Sequence, residues 1–538
     1  MKNKFILYSI VLLLSLCLSF TACNELDQFP TAQFTEDVYW TSTDKAMSIL
    51  NMAYNQMYNA DFFFRTEALS DNVQMRRIHD EKIISSGQAD ASNGRFIDEW
   101  TKCYAGIKTC HTFLENVDRV SGMDENLKTR AKAEARFIRA WQFFRLTTWY
   151  GDVPFFTKDI SFSESKTISR TSHAEVLAFV RNELEEIVSI LPTNKQYAAN
   201  DRGRITAGAA IALKARTYLY ENDWPNVVAT CERLINNTTY GEYGLFDNYA
   251  TLFAVENEYN KEVILDIEYV PILRIWNFYQ DLVPPSALGR VLYMAPTQEL
   301  VEDYIMLNGK GINETGSGYI ENNPYINRDP RMDMSIVRHL STWTSPDGTT
   351  RSIYTQPNTA PNADAKKDEY VANQETTSPT GYYMRKHYDP TAVSNFDSGL
   401  NLPLIRYADV LLMYAEAKNE LEGMDASIWD ITIRELRRRA GFTDAGALDF
   451  PGTTDLQNII RRERRCELAL EGLRIFDIRR WRTAEIVFNG ALHGAKFENN
   501  NTYIILDQRT FNPERDYLWP VPQSERDINP NLGQNPQY

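Results

Sequence analysis

Basic charge, histidine and membrane-length hydrophobic runs are all scarce in this chain of 538 residues. Lys and Arg number 57 against 72 Asp and Glu, a net charge of −15. That balance excludes a general affinity for nucleic acid, where clustered cations must face phosphates. The six histidines (His79, His111, His173, His339, His387 and His493) are scattered. No H-E-x-x-H, CxxC, G-x-S-x-G or Walker phosphate loop occurs, so zinc, serine-nucleophile and phosphate-loop chemistries have no basis here. No cofactor is expected. A structural calcium bound by loop carbonyls and aspartates needs no fixed spacing, so the sequence does not locate one. Of six cysteines, Cys17 and Cys23 lie near the start, leaving Cys103, Cys110, Cys231 and Cys466. Cys103 and Cys110 stand seven apart in a helical pattern, ~10 Å between Cα atoms and too far for a disulfide. Core packing is expected for all four.

What is present begins with the one long apolar run. Lys2 and Lys4 precede Phe5–Phe20, and small residues lead into Cys23. Basic start, apolar core and small residues make a secretory signal over 1–22. The run would form a helix of roughly 24 Å, short of the ~30 Å hydrocarbon core. Thr21-Ala22-Cys23 resembles the lipobox of bacterial lipoproteins, in which the cysteine receives lipid and becomes the first mature residue; Phe20 stands where that motif usually has Leu. Without Lys2 and Lys4 the mature chain carries −17. Residues 23–34 then form a polar leader, and Glu25 and Asp27 resemble the signal that sends such lipoproteins to the outer face.

Helical periodicity dominates the first half of the mature chain. It is clear over Lys45–Tyr58, Ile97–Val120, Leu127–Trp149 and His173–Leu191, whereas Phe62–Arg77 shows no period. Ala207, Ala210, Ile211 and Ala215 form a small-residue stripe, followed by the turn Glu221-Asn-Asp-Trp-Pro and a second helix through Leu234. That unit resembles a tetratricopeptide repeat, in which helix pairs build a curved scaffold. After Asn260 the pattern changes. Val263, Leu265, Ile267 and Tyr269 alternate as a half-buried strand should. The block to Asn401 is then rich in Pro, Gly, Asn and aromatics, a length of irregular chain that usually carries function. Helices return over Arg406–Glu420, Ile428–Ala440 and Asp455–Trp481, and the end of the chain reads as extended.

In this order the chain resembles the SusD/RagB family of outer-membrane nutrient-binding lipoproteins over nearly its whole length. The residues that carry the likeness are "WTKCYAGIKTCHTFLENV" (100–117), "AEARFIRAWQFFRLTTWYGDVPFF" (133–156), "NRDPRMD" (327–333), "YYMRKHYD" (382–389), "LPLIRYADVLLMYAEAKNE" (402–420), "RRERRCELALEGLRIFDIRRW" (461–481) and "INPNLGQNPQY" (528–538). The resemblance implies a mainly α fold. A tetratricopeptide-like scaffold (35–260 and 402–490) would carry a loop-rich insertion with short strands (261–401) and an extended tail (491–538), as one domain. It also implies a cell-surface glycan-binding lipoprotein, not an enzyme, that works with a SusC-like TonB-dependent transporter.

Sugar rings present apolar faces to Trp or Tyr and paired hydroxyls to Asn, Asp or Arg. Trp276, Tyr279, Tyr293, Trp343 and Tyr354 in the insertion fit the first role, although burial in loop packing suits either Trp equally. Asp71, Asn72 and Arg76 fit the second, although Asp71 suits a turn or an ion pair as well. Glu463, Glu467 and Glu471 recur every four residues among arginines. Paired carboxylates are what a glycosidase needs, but adjacent arginines lower their pKa, the wrong direction for a general acid. Structural ion pairing is the favoured reading. Two rivals remain, a peptide-binding lipoprotein of the same architecture and a surface glycoside hydrolase. Net acidity points to neutral sugars.

Overall fold

The computed structural model describes residues 40–76, 79–235, 238–277, 282–289, 293–392, 397–452, 455–497 and 502–538. The signal, Cys23, the leader and Tyr279 lie outside the described residues.

The scaffold is a run of helices, most of them packed on a neighbour in sequence. They are α1 (Thr43–Met57), α2 (Ala60–Glu67), α3 (Gly94–Asn116), α4 (Glu125–Tyr150), α5 (His173–Val188), α6 (Ala207–Tyr220) and α7 (Trp224–Ile235). Side-chain caps begin several of them, as short oxygen-bearing residues should. Asp124 accepts from the Leu127 N–H, Ser172 from that of Glu175 and Thr206 from that of Ala209. The alanine stripe of α6 is wholly buried, which lets α5 and α7 approach it closely. α8 (Tyr407–Glu420) packs directly on α7, although some 170 residues separate them in sequence. The insertion is therefore looped out of a continuous helical stack. α9 (Ile433–Ala440), α10 (Leu456–Glu467) and α11 (Arg474–Arg480) complete it. The four cysteines after the start are free and buried, as core residues.

Three local expectations need correction. Phe62–Arg77 is not aperiodic coil: α2 occupies its first part. Phe62, Phe63 and Phe64 are all buried and only the Asp61–Arg65 edge is partly exposed, so three consecutive apolar residues in a helix of eight hide the period. Asp455–Trp481 is not one helix. Leu470 and Gly472 adopt positive φ (66° and 75°) between α10 and α11, which turns the chain. The tail is not simply extended. Gly490–Lys496 pairs antiparallel with Tyr503–Arg509, a helical turn follows at Gln523–Ile528, and Trp519 stacks on Trp149 at 3.9 Å.

Among its described residues the insertion holds few helices and six short strands, paired in twos with one another or with neighbouring segments. Its first strand, Val263–Ile267, pairs with Leu402–Arg406 at its exit, so entry and exit are stitched together. Trp343, Val337, Ile353 and Tyr383 build it a separate small core.

Insertion and scaffold share the main apolar core, and buried ion pairs reinforce the join. Arg331, Arg406, Arg437, Arg439 and Lys386 interlock with Asp329, Glu262, Glu463, Glu467 and Glu471, and no side chain of the ten is more than 4% exposed. Five cations meet five anions. A second set joins Arg216, Arg464 and Arg480 to Asp409, Asp477 and Glu416. A third joins Arg465 and Arg474 to Asp71 and Asp303. Each set is neutral in total, the condition under which buried charge is tolerated. All three draw on the segment 463–480. The carboxylates of Glu463, Glu467 and Glu471 stand against burial because arginines outweigh it. All three are held below their ordinary range, Glu467 to about 2.

Candidate functional site

The strand Val73–Met75 pairs antiparallel with Met294–Pro296 and carries the chain from the ionic core to the surface. Residues before it face inward. Burial would raise the Asp71 carboxyl, but Arg465 and Arg474 overcome it and hold it well below the usual carboxylate range. Arg474 donates to it at 2.9 and 3.1 Å. Asn72 donates to Glu67 at 2.7 Å and accepts from Arg465 Nε at 2.9 Å. Asp71 and Asn72 are thus spent on internal pairing, which corrects the expectation that they contact ligand. They start a strand from inside the ionic hub, so no side of either is open.

Arg76, one residue past the strand, is different. Its N–H donates to the Tyr293 carbonyl at 2.9 Å and its Nη2 to the Thr377 carbonyl at 2.8 Å, while Nε is buried without a hydrogen-bond partner. Partial burial lowers the pKa of the guanidinium, and Tyr370, Tyr383 and Glu375 nearby oppose that. Around it stand half-buried rings. Tyr293 meets His79 edge-on at 5.0 Å, and Tyr370 lies 6.0 Å from Phe497. The Tyr370 N–H donates to the Thr355 carbonyl at 2.8 Å, which brings this ring close in chain to Tyr354. Two residues earlier, Asp368 accepts from the Ser286 N–H at 2.8 Å and hydroxyl at 2.5 Å. Burial pushes its carboxyl up to about 6. That clamp fixes the loop that presents Tyr370.

The insertion tryptophans are not on this face. Trp276 is 4% exposed, its indole N–H donating to the Leu400 carbonyl at 2.8 Å and its ring lying 5.3 Å from Phe64. Trp343 is 2% exposed, with the Arg385 guanidinium 5.4 Å above it. Both belong to packing, the alternative the sequence had left open. A loop-rich block without long helices must draw its core from its own aromatics. Tyr354 stays half-buried, 6.0 Å and edge-on to His339. Of the expected residues, the structure therefore leaves Arg76 and Tyr354 accessible and brings Tyr293, His79 and Tyr370 to Arg76. Tyr293 was among the insertion aromatics named from the sequence, whereas neither Tyr370 nor His79 carries any local pattern.

A half-buried guanidinium among half-buried tyrosine and imidazole side chains suits a ligand with apolar faces and hydroxyl edges. Known proteins agree with the fold around it. The model of the SusD family matches residues 277–538, and a model described as starch-binding, associating with outer membrane, matches residues 26–219. The chain belongs to the SusD family. A SusD-like protein of Formosa agariphila is 26% identical over 100% of both chains. The starch-binding protein SusD of Bacteroides thetaiotaomicron is 27% identical over 31% of this chain and 30% of its own. The crystal structure of a SusD-like carbohydrate-binding protein from Bacteroides fragilis has a TM-score of 0.82 at 29% identity, covering 92% of this chain and 100% of that one. In this SusD-family chain the helices before and after the insertion form one stack, and the candidate face lies where the insertion meets the segment after α2.

Proposed function

We propose that the protein captures a neutral glycan on the face built by Arg76, Tyr293 and Tyr370. The observation that carries this reading is the half-buried Arg76 guanidinium, anchored on the Thr377 carbonyl beside the half-buried residues Tyr293 and Tyr370. The carbohydrate binding named for the Bacteroides fragilis structure and the starch binding named for the matched family model support it. No catalysis is proposed, since Glu463, Glu467 and Glu471 are locked in ion pairs. Titration calorimetry with maltoheptaose and laminarihexaose tests the reading. Arg76→Ala combined with Tyr370→Ala is expected to weaken binding at least about tenfold, ~1.4 kcal/mol, with the melting temperature kept. Unchanged affinity in that variant would remove the face from consideration.

Delivery to a SusC-like TonB-dependent transporter at the outer membrane is part of the same proposal. A protein partner suits the hairpin tip Val270–Arg274, where Ile272 and Leu273 are 91% and 85% exposed. The tip is braced: its ends exchange hydrogen bonds of 2.8 and 2.9 Å, and a Cβ on Gly399 would lie 2.4 Å from Pro271. Ile272 holds φ of 72°, an uncommon strain for a β-branched residue. Rigid exposed apolar surface of this kind marks an interaction site. A transporter co-purifying with the tagged chain from native membranes is the expected result; isolation of the chain alone would count against delivery. Lipidation at Cys23 predicts that Cys23→Ala moves the protein from the membrane to the soluble fraction while glycan binding persists.

A further inference from the structure

Arg76 and Tyr370 reach the candidate face from different segments, and neither lies in a helix or a strand. Their spacing therefore depends on side-chain bonds. Those bonds meet at one atom, the hydroxyl oxygen of Tyr383. It accepts from the Ser378 N–H at 3.3 Å and donates to the Asp368 carbonyl at 3.0 Å. The first bond leads to Arg76. The Ser378 N–H and the Thr377 carbonyl belong to one planar peptide unit, and that carbonyl receives Arg76 Nη2 at 2.8 Å. The second bond leads to Tyr370, two residues past Asp368, whose carboxylate is itself held by Ser286. A continuous chain thus runs from guanidinium through peptide, phenol and carbonyl to the Tyr370 loop. Linked hydrogen bonds of this kind strengthen one another.

The phenol is fixed independently of both arms. Tyr383 is fully buried and pairs with Val337 across an antiparallel strand. Its ring packs with Val283, Ala295, Val337 and Ile353 in the small core of the insertion. Ala295 stands opposite Gln74 in the strand pair that leads to Arg76, so the ring takes its position from the strands that also place the guanidinium. Burial pushes the hydroxyl above the ordinary phenol range, which keeps it a donor. Ser378 and Asp368 are fully buried as well, so bulk water has no access to replace it.

From this junction we infer that Tyr383 is a positioning residue of the face, its hydroxyl setting the spacing between the Arg76 guanidinium and the Tyr370 ring without touching ligand. The inference rests on the ligand reading of that face and adds the residue that holds its two halves in register. Groups fixed beforehand cost a ligand less ordering than groups free to move.

Tyr383→Phe keeps the buried ring and removes only the hydroxyl. Calorimetry with maltoheptaose and laminarihexaose should show affinity weakened about three- to tenfold, the usual net worth of a hydrogen bond. Amide exchange in the unliganded variant should quicken at Ser378. The comparison is Tyr150→Phe, which removes a buried hydroxyl bond to the Phe96 carbonyl in the scaffold and should leave affinity within about twofold. In a Tyr370→Ala background, Tyr383→Phe should cost less than in the otherwise native chain, because one arm no longer ends in a ring. A general loss of structure would cost the same in both. Ser286→Ala loosens Asp368 from its other side and should weaken binding in the same direction, which carries the test if Tyr383→Phe does not fold. Unchanged affinity in these variants, or an equal loss in Tyr150→Phe, overturns the positioning role and leaves the Arg76 face standing. A wild type that binds neither probe overturns the ligand reading, and the role of Tyr383 with it.

Discussion

Glu467→Gln is expected to lower stability by about 3–5 kcal/mol, the usual result of removing one partner from a buried ion pair. Glu467 is fully buried and receives Arg331 at 2.9 Å, Arg406 at 3.1 Å and also Arg439. Glutamine keeps the shape and one acceptor but removes the charge. The ten-residue network then holds five cations against four anions, and the excess positive charge has no water to relax into. The comparison is Glu435→Gln, which removes an exposed pair with Arg438 and should change stability by less than about 1 kcal/mol. Thermal and guanidinium unfolding of the two variants against wild type separates them. A second variant sharpens the cause. Arg439→Met added to Glu467→Gln restores four against four, so the pair should be less damaged than the sum of its parts. If Glu467→Gln matched Glu435→Gln, the network would be decoration on a scaffold held by apolar packing alone.

This hub also shows how much of the molecule was legible. Helices such as Glu125–Tyr150 announce themselves through apolar spacing and a stop at Gly151, and the structure places them within a few residues of the expected ends. The spacing of Glu463, Glu467 and Glu471 among arginines pointed to ion pairing. The partners did not follow from it. Glu262, Arg331, Lys386 and Arg406 come from segments scattered over almost 150 residues of the chain, and no local pattern announces contacts of that range. Phe62–Phe64 failed for the opposite reason, since three consecutive buried aromatics in a helix of eight residues hide its one polar edge, Asp61 and Arg65. At the candidate face, Arg76 was named from its neighbourhood, but Asp71 and Asn72 beside it were assigned to the same surface. Five residues of nearly extended chain suffice to pass from the ionic interior to solvent, and composition does not say where the crossing falls. The tryptophans show a related limit. Aromatics in an irregular insertion serve as its core or as its contact surface, and only packing decides; Trp276 and Trp343 went inside, whereas Tyr293 and Tyr370 stayed at the face.

Acid should unfold the protein steeply below about pH 4.5, after a shallow response between pH 7 and 5. Two sets of groups set the shape. Asp71, Asp409, Glu416, Glu463, Glu467 and Glu471 are held by arginines below their ordinary values, against burial. In the unfolded chain they take up protons near pH 4, so the unfolded state binds more protons there. Their stabilisation is complete above that range and is lost as pH falls toward about 2, where Glu467 titrates when folded. His111 and His387 act in the same direction from a higher pH. Burial drives them down to about 4 and about 3, so they stay neutral in the fold while the unfolded chain protonates them below about 6.5. The opposing set is Asp368, raised to about 6, with Glu67, Glu134, Asp266 and Glu299 also raised by burial. Each takes up its proton first in the folded state, so mild acid relieves the strain of keeping it charged. Between pH 7 and 5 this relief offsets the loss at the histidines. Once the raised carboxyls are protonated nothing remains to oppose the arginine-held set, and both losses run together. Guanidinium midpoints at pH 7, 5, 4 and 3 measure the curve, and Glu467→Gln should show a gentler acid limb because one depressed carboxylate is gone. A midpoint constant from pH 5 to 3 would mean that these carboxylates do not carry the fold. An equally steep limb in Glu467→Gln would shift the burden to the Asp409 and Asp71 sets, whose charges the same acid removes.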